Sequence, residues 1–312
     1  MPGGEPVLAL DIGGSKIAGA VVGSGGEILR RTKVPVQVSH GPKAFFDQLI
    51  QVITELSRDF VLRRVGIGCA GPLDPKSGEL LDPTNFFTDG KSWGKVSLLA
   101  PLRNHWPKWQ FALDNDAAAA VLGEAWMGGG PQDHLLVMTL GTGVGVGVLV
   151  NGQLVRMRDQ IHPEASHIPL NFTDHDSPCG CGALGCIEAY LAGSHFVRRL
   201  GREWNEPGLR GHILVERAKV GDVRALAAFS RYGEWLAQAV HAYAVLFGPR
   251  QVSLAGGFAV AAPYFLPTTA KRLPELLARR RDGVDLLPQV TVSKLGDDLG
   301  VLGAARVAQL AN

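Results

Sequence analysis

Val7-Leu8-Ala9-Leu10-Asp11-Ile12-Gly13-Gly14-Ser15-Lys16 reads as an apolar strand with an acid near its end, stopped by a turn of small residues. Residues 17–22 follow at once as a second strand, and Ser24-Gly25-Gly26 turns the chain into a third, expected over 28–38. The same order returns later. Leu135–Leu140 is apolar, Gly141-Thr142-Gly143-Val144-Gly145 makes the turn, 146–150 is the next strand, and Asn151-Gly152 turns again. Such self-similarity divides the chain into like parts and is sought before a fold is chosen. A third glycine-ended strand, Val252-Ser253-Leu254-Ala255-Gly256-Gly257, comes late. A hairpin tip of small residues offers successive backbone N–H groups to an anion, and a neighbouring acid can hold magnesium. Two such hairpins and a Gly-Gly turn describe two like α/β domains around a phosphate-bearing nucleotide. No G-x-x-x-x-G-K-[ST] run is present, and 141–147 leads into a strand where a dinucleotide fingerprint needs a helix.

Outward from these turns, residues 43–60 place Phe46, Leu49, Ile50, Ile53, Leu56 and Phe60 at helical spacing, and 65–69 reads as a buried strand. Phe111-Ala112-Leu113-Asp114-Asn115-Asp116 is strand-like and 117–126 is alanine-rich and helical, so three polar residues stand at a strand-to-helix junction. Asp and Asn cap helices well, and one of the three accounts for the cap. That helix is expected to be a hinge, with residues 1–116 and 298–312 forming a smaller domain and 117–297 a larger one. Glu124 is read as a helical surface or domain-interface acid. Residues 222–247, 263–281 and 298–311 complete the helices.

The chain's 312 residues suffice for two domains with a core each. A formal net charge of +2 without a basic cluster offers nothing to nucleic acid or to an anionic membrane. The apolar run at 7–10 lacks a basic leader and is too short for a signal peptide or a membrane span. Cytoplasm is the expected location, since cysteines kept as metal ligands suit a reducing compartment.

The stretch 164–188 is the densest in chemistry. It runs from Glu164-Ala165-Ser166-His167 to Cys179-Gly180-Cys181-Gly182-Ala183-Leu184-Gly185-Cys186-Ile187-Glu188. Cysteines at C-x-C-x4-C spacing, together with His167, make the tetrahedral Cys3His set that suits structural zinc. His175 competes as the fourth ligand. A disulfide is the alternative, yet a C-x-C bridge is strained and three cysteines leave one over. Gly180, Gly182 and Gly185 suit a backbone turned around an ion. One ion tying these segments together would hold Glu164, His167 and Glu188 as the stiff polar row that a polyhydroxylated ligand needs.

Together these residues resemble the ROK family (repressors, uncharacterised reading frames and sugar kinases) over nearly the whole chain. Asp11-Ile12-Gly13-Gly14-Ser15-Lys16 looks like its first phosphate motif, Gly141-Thr142-Gly143-Val144-Gly145 its second, and Gly256-Gly257 its adenosine motif. Leu113-Asp114-Asn115-Asp116-Ala117 is similar to its catalytic segment, and the cysteine stretch to its sugar-and-zinc signature. The resemblance implies an α/β fold of two ribonuclease-H-like domains, of the actin/hexokinase type, with an interdomain cleft. It implies ATP, Mg2+ and structural Zn2+ as cofactors, a small-molecule sugar as partner, and a homodimer or homotetramer. Asp116 is implied as the base, with Asn85, Asn115, Asp116, Glu164, His167 and Glu188 binding the sugar. Asp11, Gly13, Gly14, Ser15, Lys16, Gly141, Thr142, Gly143, Gly256 and Gly257 are implied to hold the nucleotide and its magnesium. The expected reaction phosphorylates glucose to glucose 6-phosphate, with fructose, mannose or an N-acetylhexosamine as alternative acceptors. Sugar-sensing regulators of the family carry several dozen DNA-binding residues before the first turn. Ten residues precede Asp11, so an enzyme is expected. Ser166 stands where the family usually has glycine and is expected to avoid positive φ or to bear strain.

Overall fold

The structure, a computed structural model, describes residues 4–83, 85–278 and 285–311. β1 (Val7–Ile12), β2 (Lys16–Val22) and β3 (Ile28–Pro35) form an antiparallel run. α1 (Gly41–Ser57) crosses to β4 (Arg64–Cys69), which pairs parallel with β1. Short strands follow, β5 (Leu73–Asp74), β6 (Glu79–Leu81), β7 (Phe87–Thr88), β8 (Lys91–Ser92) and β9 (Lys95–Ser97). α2 (Leu99–His105), β10 (Gln110–Asn115) and α3 (Asp116–Met127) then complete a sheet ordered β10-β4-β1-β2-β3.

The pattern repeats. β11 (Leu135–Leu140), β12 (Val144–Val150) and β13 (Gln153–Leu154) make the second antiparallel run. α4 (Ile187–Leu191), α5 (Gly193–Glu203), α6 (Gly211–Lys219) and α7 (Val223–Phe247) lead to β14 (Gln251–Ala255). α8 (Ala262–Leu277) leads to β15 (Gln289–Val292), and α9 (Leu299–Leu310) ends the chain. The second sheet is ordered β13-β12-β11-β14-β15. Both sheets therefore extend a three-stranded hairpin run by two parallel strands, on the side of the run's first strand.

β1 is buried almost throughout because helices cover both faces of its sheet, which is why it reads as a continuous apolar run. The stripe Phe45, Leu49, Val52, Ile53 and Leu56 of α1 joins Leu8, Leu10 and Ile67 in one core. Each large side chain so buried stabilises the fold by roughly 1.5–3 kcal/mol. α9 packs against β1 and β4 at backbone distance: a Cβ on Gly66 would stand 1.8 Å from the Ala304 carbonyl oxygen.

Two compact units result, one of residues 1–129, 154–163 and 297–312, the other of 130–153 and 164–296. They differ from the expected 1–116 with 298–312 and 117–297. α3 falls with the first unit, where its alanine-rich face lies on α9. Residues 154–163 join the first unit as well, drawn there by an ion pair between Arg156 and Asp114. The third strand stops at Pro35, short of the expected 38, and residues 279–281 of the helix expected to end at 281 lie outside the described residues. Among the described residues no helix is long and apolar enough to cross a membrane.

Candidate active site

In the first unit, β4 lies between β1 and β10, with Gly68 in register with both Asp11 and Asp114. A Cβ at Gly68 would stand 3.1 Å from the Ala119 Cβ and 3.7 Å from the Asp116 Cα, so the bare backbone lets α3 start close to β4. Burial and then the Asp116 charge lift the Asp11 carboxyl to about 7, against the pull of Lys16. Burial raises Asp116 as well, opposed by the Ala117 N–H, which donates to Asp116 Oδ1 at 2.8 Å. Two poorly solvated acids whose charges oppose one another are relieved by a proton or by a cation. Magnesium suits the pair on that ground. Cys69, which the sequence left without a role, is buried beside both acids, and burial followed by their charges keeps its thiol protonated.

The three junction residues divide their work. Asn115 is the cap: its Oδ1 accepts from the Ala117 and Ala118 N–H groups at 2.8 and 3.4 Å, leaving its amide NH2 available. Asp114 accepts from the Asn115 N–H at 2.8 Å and takes Arg156 on both oxygens. Asp116 is the one whose charge reaches Asp11. Asn85 lies on the first glycine turn, 3.1 Å (Cγ) from where a Gly14 Cβ would be, and the Gly13 N–H closes that turn on the Lys16 carbonyl at 3.0 Å. Lys16 is half-buried rather than solvated, and its charge acts on both Asp11 and Asp297. Glu124, expected on a helical surface or between domains, is only 2% exposed within the first unit.

In the second unit the Gly141 N–H donates to the Gly143 carbonyl at 3.0 Å, and Ser194 Oγ donates to the Thr142 carbonyl at 2.6 Å. Gly256 has φ of 85°, and a Cβ there would stand 2.4 Å from the Leu140 carbonyl oxygen, so only glycine serves. Gly141, Thr142 and Gly257 line one cavity of about 1140 Å³. Val197, Leu209 and Phe258 give it apolar walls while Arg198, Arg202 and Lys219 add cations. That mixture suits a flat base joined to an anionic tail. The α5 and α6 residues of this lining have no telltale spacing in the sequence. They meet only through packing.

His167, Cys179, Cys181 and Cys186 offer four ligand atoms within 4.8 Å of one another, and His175 is not in the group. Cys179 Sγ is 3.3 Å from His167 Nδ1, and Cys181 Sγ is 3.6 Å from Cys186 Sγ. Tetrahedral zinc, with bonds of about 2.3 Å to sulfur and 2.0 Å to nitrogen, sets donor separations of roughly 3.5–3.8 Å. The donor set therefore suits zinc. All three cysteines are free thiols, and burial with Cys181 as neighbour pushes the Cys186 thiol up to about 11. Gly182 and Gly185 have φ of 90° and 61°, while Gly180 is not left-handed. Ser166 is buried in the short turn Ala165–His167 without positive φ, and Tyr243 of α7 donates its hydroxyl to the Ala165 carbonyl at 3.0 Å.

The polar row comes together around this cluster. His167 turns Nδ1 to the thiols, and its Nε2 lies 3.9 Å from Glu164 Oε2. Glu188 lies in the first turn of α4; its Oε2 accepts from the Val144 N–H at 3.0 Å and its Oε1 is 3.7 Å from Cys179 Sγ. One carboxylate thus joins the second glycine turn to the cysteine cluster.

A family profile described as ROK matches residues 7–311. The chain belongs to the ROK family. A glucokinase of Thermotoga maritima is 30% identical to this ROK protein, with 96% of each chain covered. An N-acetyl-D-glucosamine kinase of Escherichia coli is 31% identical over 95% of this chain and 96% of the relative. Among solved structures, a ROK family glucokinase from Streptomyces griseus in complex with glucose and AMPPNP has a TM-score of 0.82. It is 28% identical and covers 98% of this chain and 100% of its own. ROK hexokinase from Thermus thermophilus has a TM-score of 0.83 at 27% identity, covering 98% of each chain. The fold is that of these ROK kinases, α/β with two sheet-bearing units of the actin/hexokinase type.

Proposed function

We propose that this ROK protein is an ATP-dependent sugar kinase that phosphorylates a hexose hydroxyl, with glucose as preferred acceptor and glucose 6-phosphate as product. The observation that carries this reading is Asp116, desolvated at the junction of β10 and α3, with its charge acting on a second acid, Asp11. Asp116 accepts the proton of the attacking hydroxyl, a role worth about 10²–10⁴-fold in rate. Burial suits it, because a carboxylate with raised proton affinity is the better base at neutral pH. Asp11 would hold magnesium, which supplies charge neutralisation on the transferring phosphate. Gly13, Gly14, Ser15 and Lys16, with Gly141, Thr142 and Gly143, bind phosphate oxygens, and Gly256 and Gly257 bound the adenosine. Asn85, the Asn115 amide, Glu164, His167 and Glu188 hold the sugar in line for transfer.

The Cys3His group would hold structural zinc. As a zinc-bound thiolate, Cys179 would no longer donate toward Glu188, and Oε1 would be left to accept from a sugar hydroxyl. His167 bound through Nδ1 keeps an N–H on Nε2 as a donor. Cytoplasmic location and a homodimer or homotetramer complete the reading.

A second acceptor has support of its own. The N-acetyl-D-glucosamine kinase is 31% identical to this chain and the glucokinase 30%, which supports an N-acetylhexosamine as the alternative over fructose and mannose. A coupled ADP-release assay over glucose, N-acetylglucosamine, mannose and fructose tests both. The highest kcat/KM on glucose is expected. A better N-acetylglucosamine value replaces the acceptor, and no sugar-dependent ADP from any of them refutes the kinase reading.

A further inference from the structure

The loop that carries the three cysteines is gripped at a second place. Asp174 accepts from Ser177 Oγ at 2.6 Å, from the Tyr190 hydroxyl at 2.5 Å and from Arg199 Nη1 at 3.4 Å. Its other oxygen accepts from the Asp176 N–H at 3.1 Å. Arg199 also donates to Ser177 Oγ, and Arg202 to the Asp176 carbonyl at 3.1 Å. The Arg199 guanidinium carbon lies 4.7 Å over the Tyr190 ring and 5.2 Å over the Trp235 ring. Exposed ion pairs contribute little. Here the cation stacks on two rings, the anion is held by several donors, and the two side chains are only 13% and 19% exposed. Although burial works the other way, the hydrogen bonds from Ser177 and Tyr190, with the Arg199 charge, bring the Asp174 carboxyl down to about 2.

The network joins an element that carries a proposed ligand contact to two that hold segments carrying others. Tyr190 is on α4, two residues after Glu188. Arg199 is on α5, whose Ser194 holds the Thr142 turn. Trp235 is on α7, whose Tyr243 holds the turn before His167. We propose that Asp174, Tyr190 and Arg199 are positioning residues that fasten the metal loop and orient α4, so that Glu188 and His167 meet the sugar in one direction. The sugar part of this inference rests on the kinase reading; the metal part does not.

Tyr190→Phe removes one hydroxyl and keeps the ring under Arg199, and Asp174→Asn keeps the shape and removes the charge. Zinc release from the purified, zinc-loaded proteins to a chromogenic chelator is followed without sugar or ATP, and KM for sugar, KM for ATP and kcat are then measured. Loss of a charge-assisted hydrogen bond predicts zinc release about fivefold faster and a sugar KM about five- to tenfold higher, with kcat and KM for ATP within about twofold. Wild-type release rates overturn the fastening. Faster release with an unchanged sugar KM overturns the positioning role, and equal losses in every kinetic constant show general loosening and overturn it too. Should Asp174→Asn not fold, Tyr190→Phe decides alone. If the wild type phosphorylates no sugar, the kinase reading fails while the chelator arm still tests the fastening.

Discussion

Asp11 and Asp174 are carboxylates in two units built on one sheet plan, and their surroundings treat them in opposite ways. Asp11 is desolvated within reach of the Asp116 charge, and its carboxyl rises to about 7. Asp174 collects hydroxyl, amide and guanidinium donors, and its carboxyl falls to about 2. The first unit keeps an unfavourable charge that a cation would relieve. The second spends its polar groups on one another and gains rigidity. A site needs both, since binding a phosphate-bound metal favours unsatisfied charge and orienting a sugar favours satisfied charge.

The contrast is sharpest at Asp116. Asp116→Asn preserves shape and the helix start, so zinc content and sugar affinity should stay near normal while kcat falls by about 10²-fold or more. A drop smaller than about tenfold in the ADP-release assay would assign the proton to another group. On the other side, Cys181→Ala removes one ligand of the cluster without opening a core cavity, since Cys181 is exposed. Loss of metal, earlier melting and a sugar KM raised roughly tenfold are expected, because a structural zinc site contributes folding free energy. Metal analysis and calorimetry read this directly. A metal-free variant with normal sugar KM would separate the polar row from the ion.

How much of this could be read from the chain depends on how local each feature is. The glycine-ended strands and the C-x-C-x4-C spacing are local, and both appear as expected: the strands pair as two like sheets and the thiols gather with His167. The junction was half-legible. A cap was expected among Asp114, Asn115 and Asp116, but only the bonds to the Ala117 and Ala118 amides assign it to Asn115. The grouping of α3 with α9 was not legible, because the two helices are distant in sequence and joined through glycines and alanines that carry no hydrophobic signal. A Cβ on Gly303 would stand 2.1 Å from the Ala119 carbonyl oxygen. Arg199 was invisible for a related reason. Its partners come from a loop and two other helices, and no periodicity links them.

The smallest effect expected is thermodynamic and concerns Asp11 without ligands. Its folded carboxyl titrates at about 7 against an ordinary 3.8. Below about pH 4 the group is protonated in both the folded and the unfolded chain and has no effect on stability. Between there and about pH 7 the unfolded chain loses the proton while the folded chain keeps it, so stability falls as pH rises, and above 7 the full cost persists. Asp11→Asn carries no charge at any pH and escapes that cost. In magnesium-free buffer the variant should therefore melt a few degrees above wild type at pH 8, with the gap closing near pH 4. Added magnesium should raise the wild-type melting temperature at pH 8 and leave the variant nearly unmoved. Equal melting temperatures at both pH values would mean that Lys16 already balances Asp11 in the ligand-free fold, and the first unit would then be as well satisfied as the second.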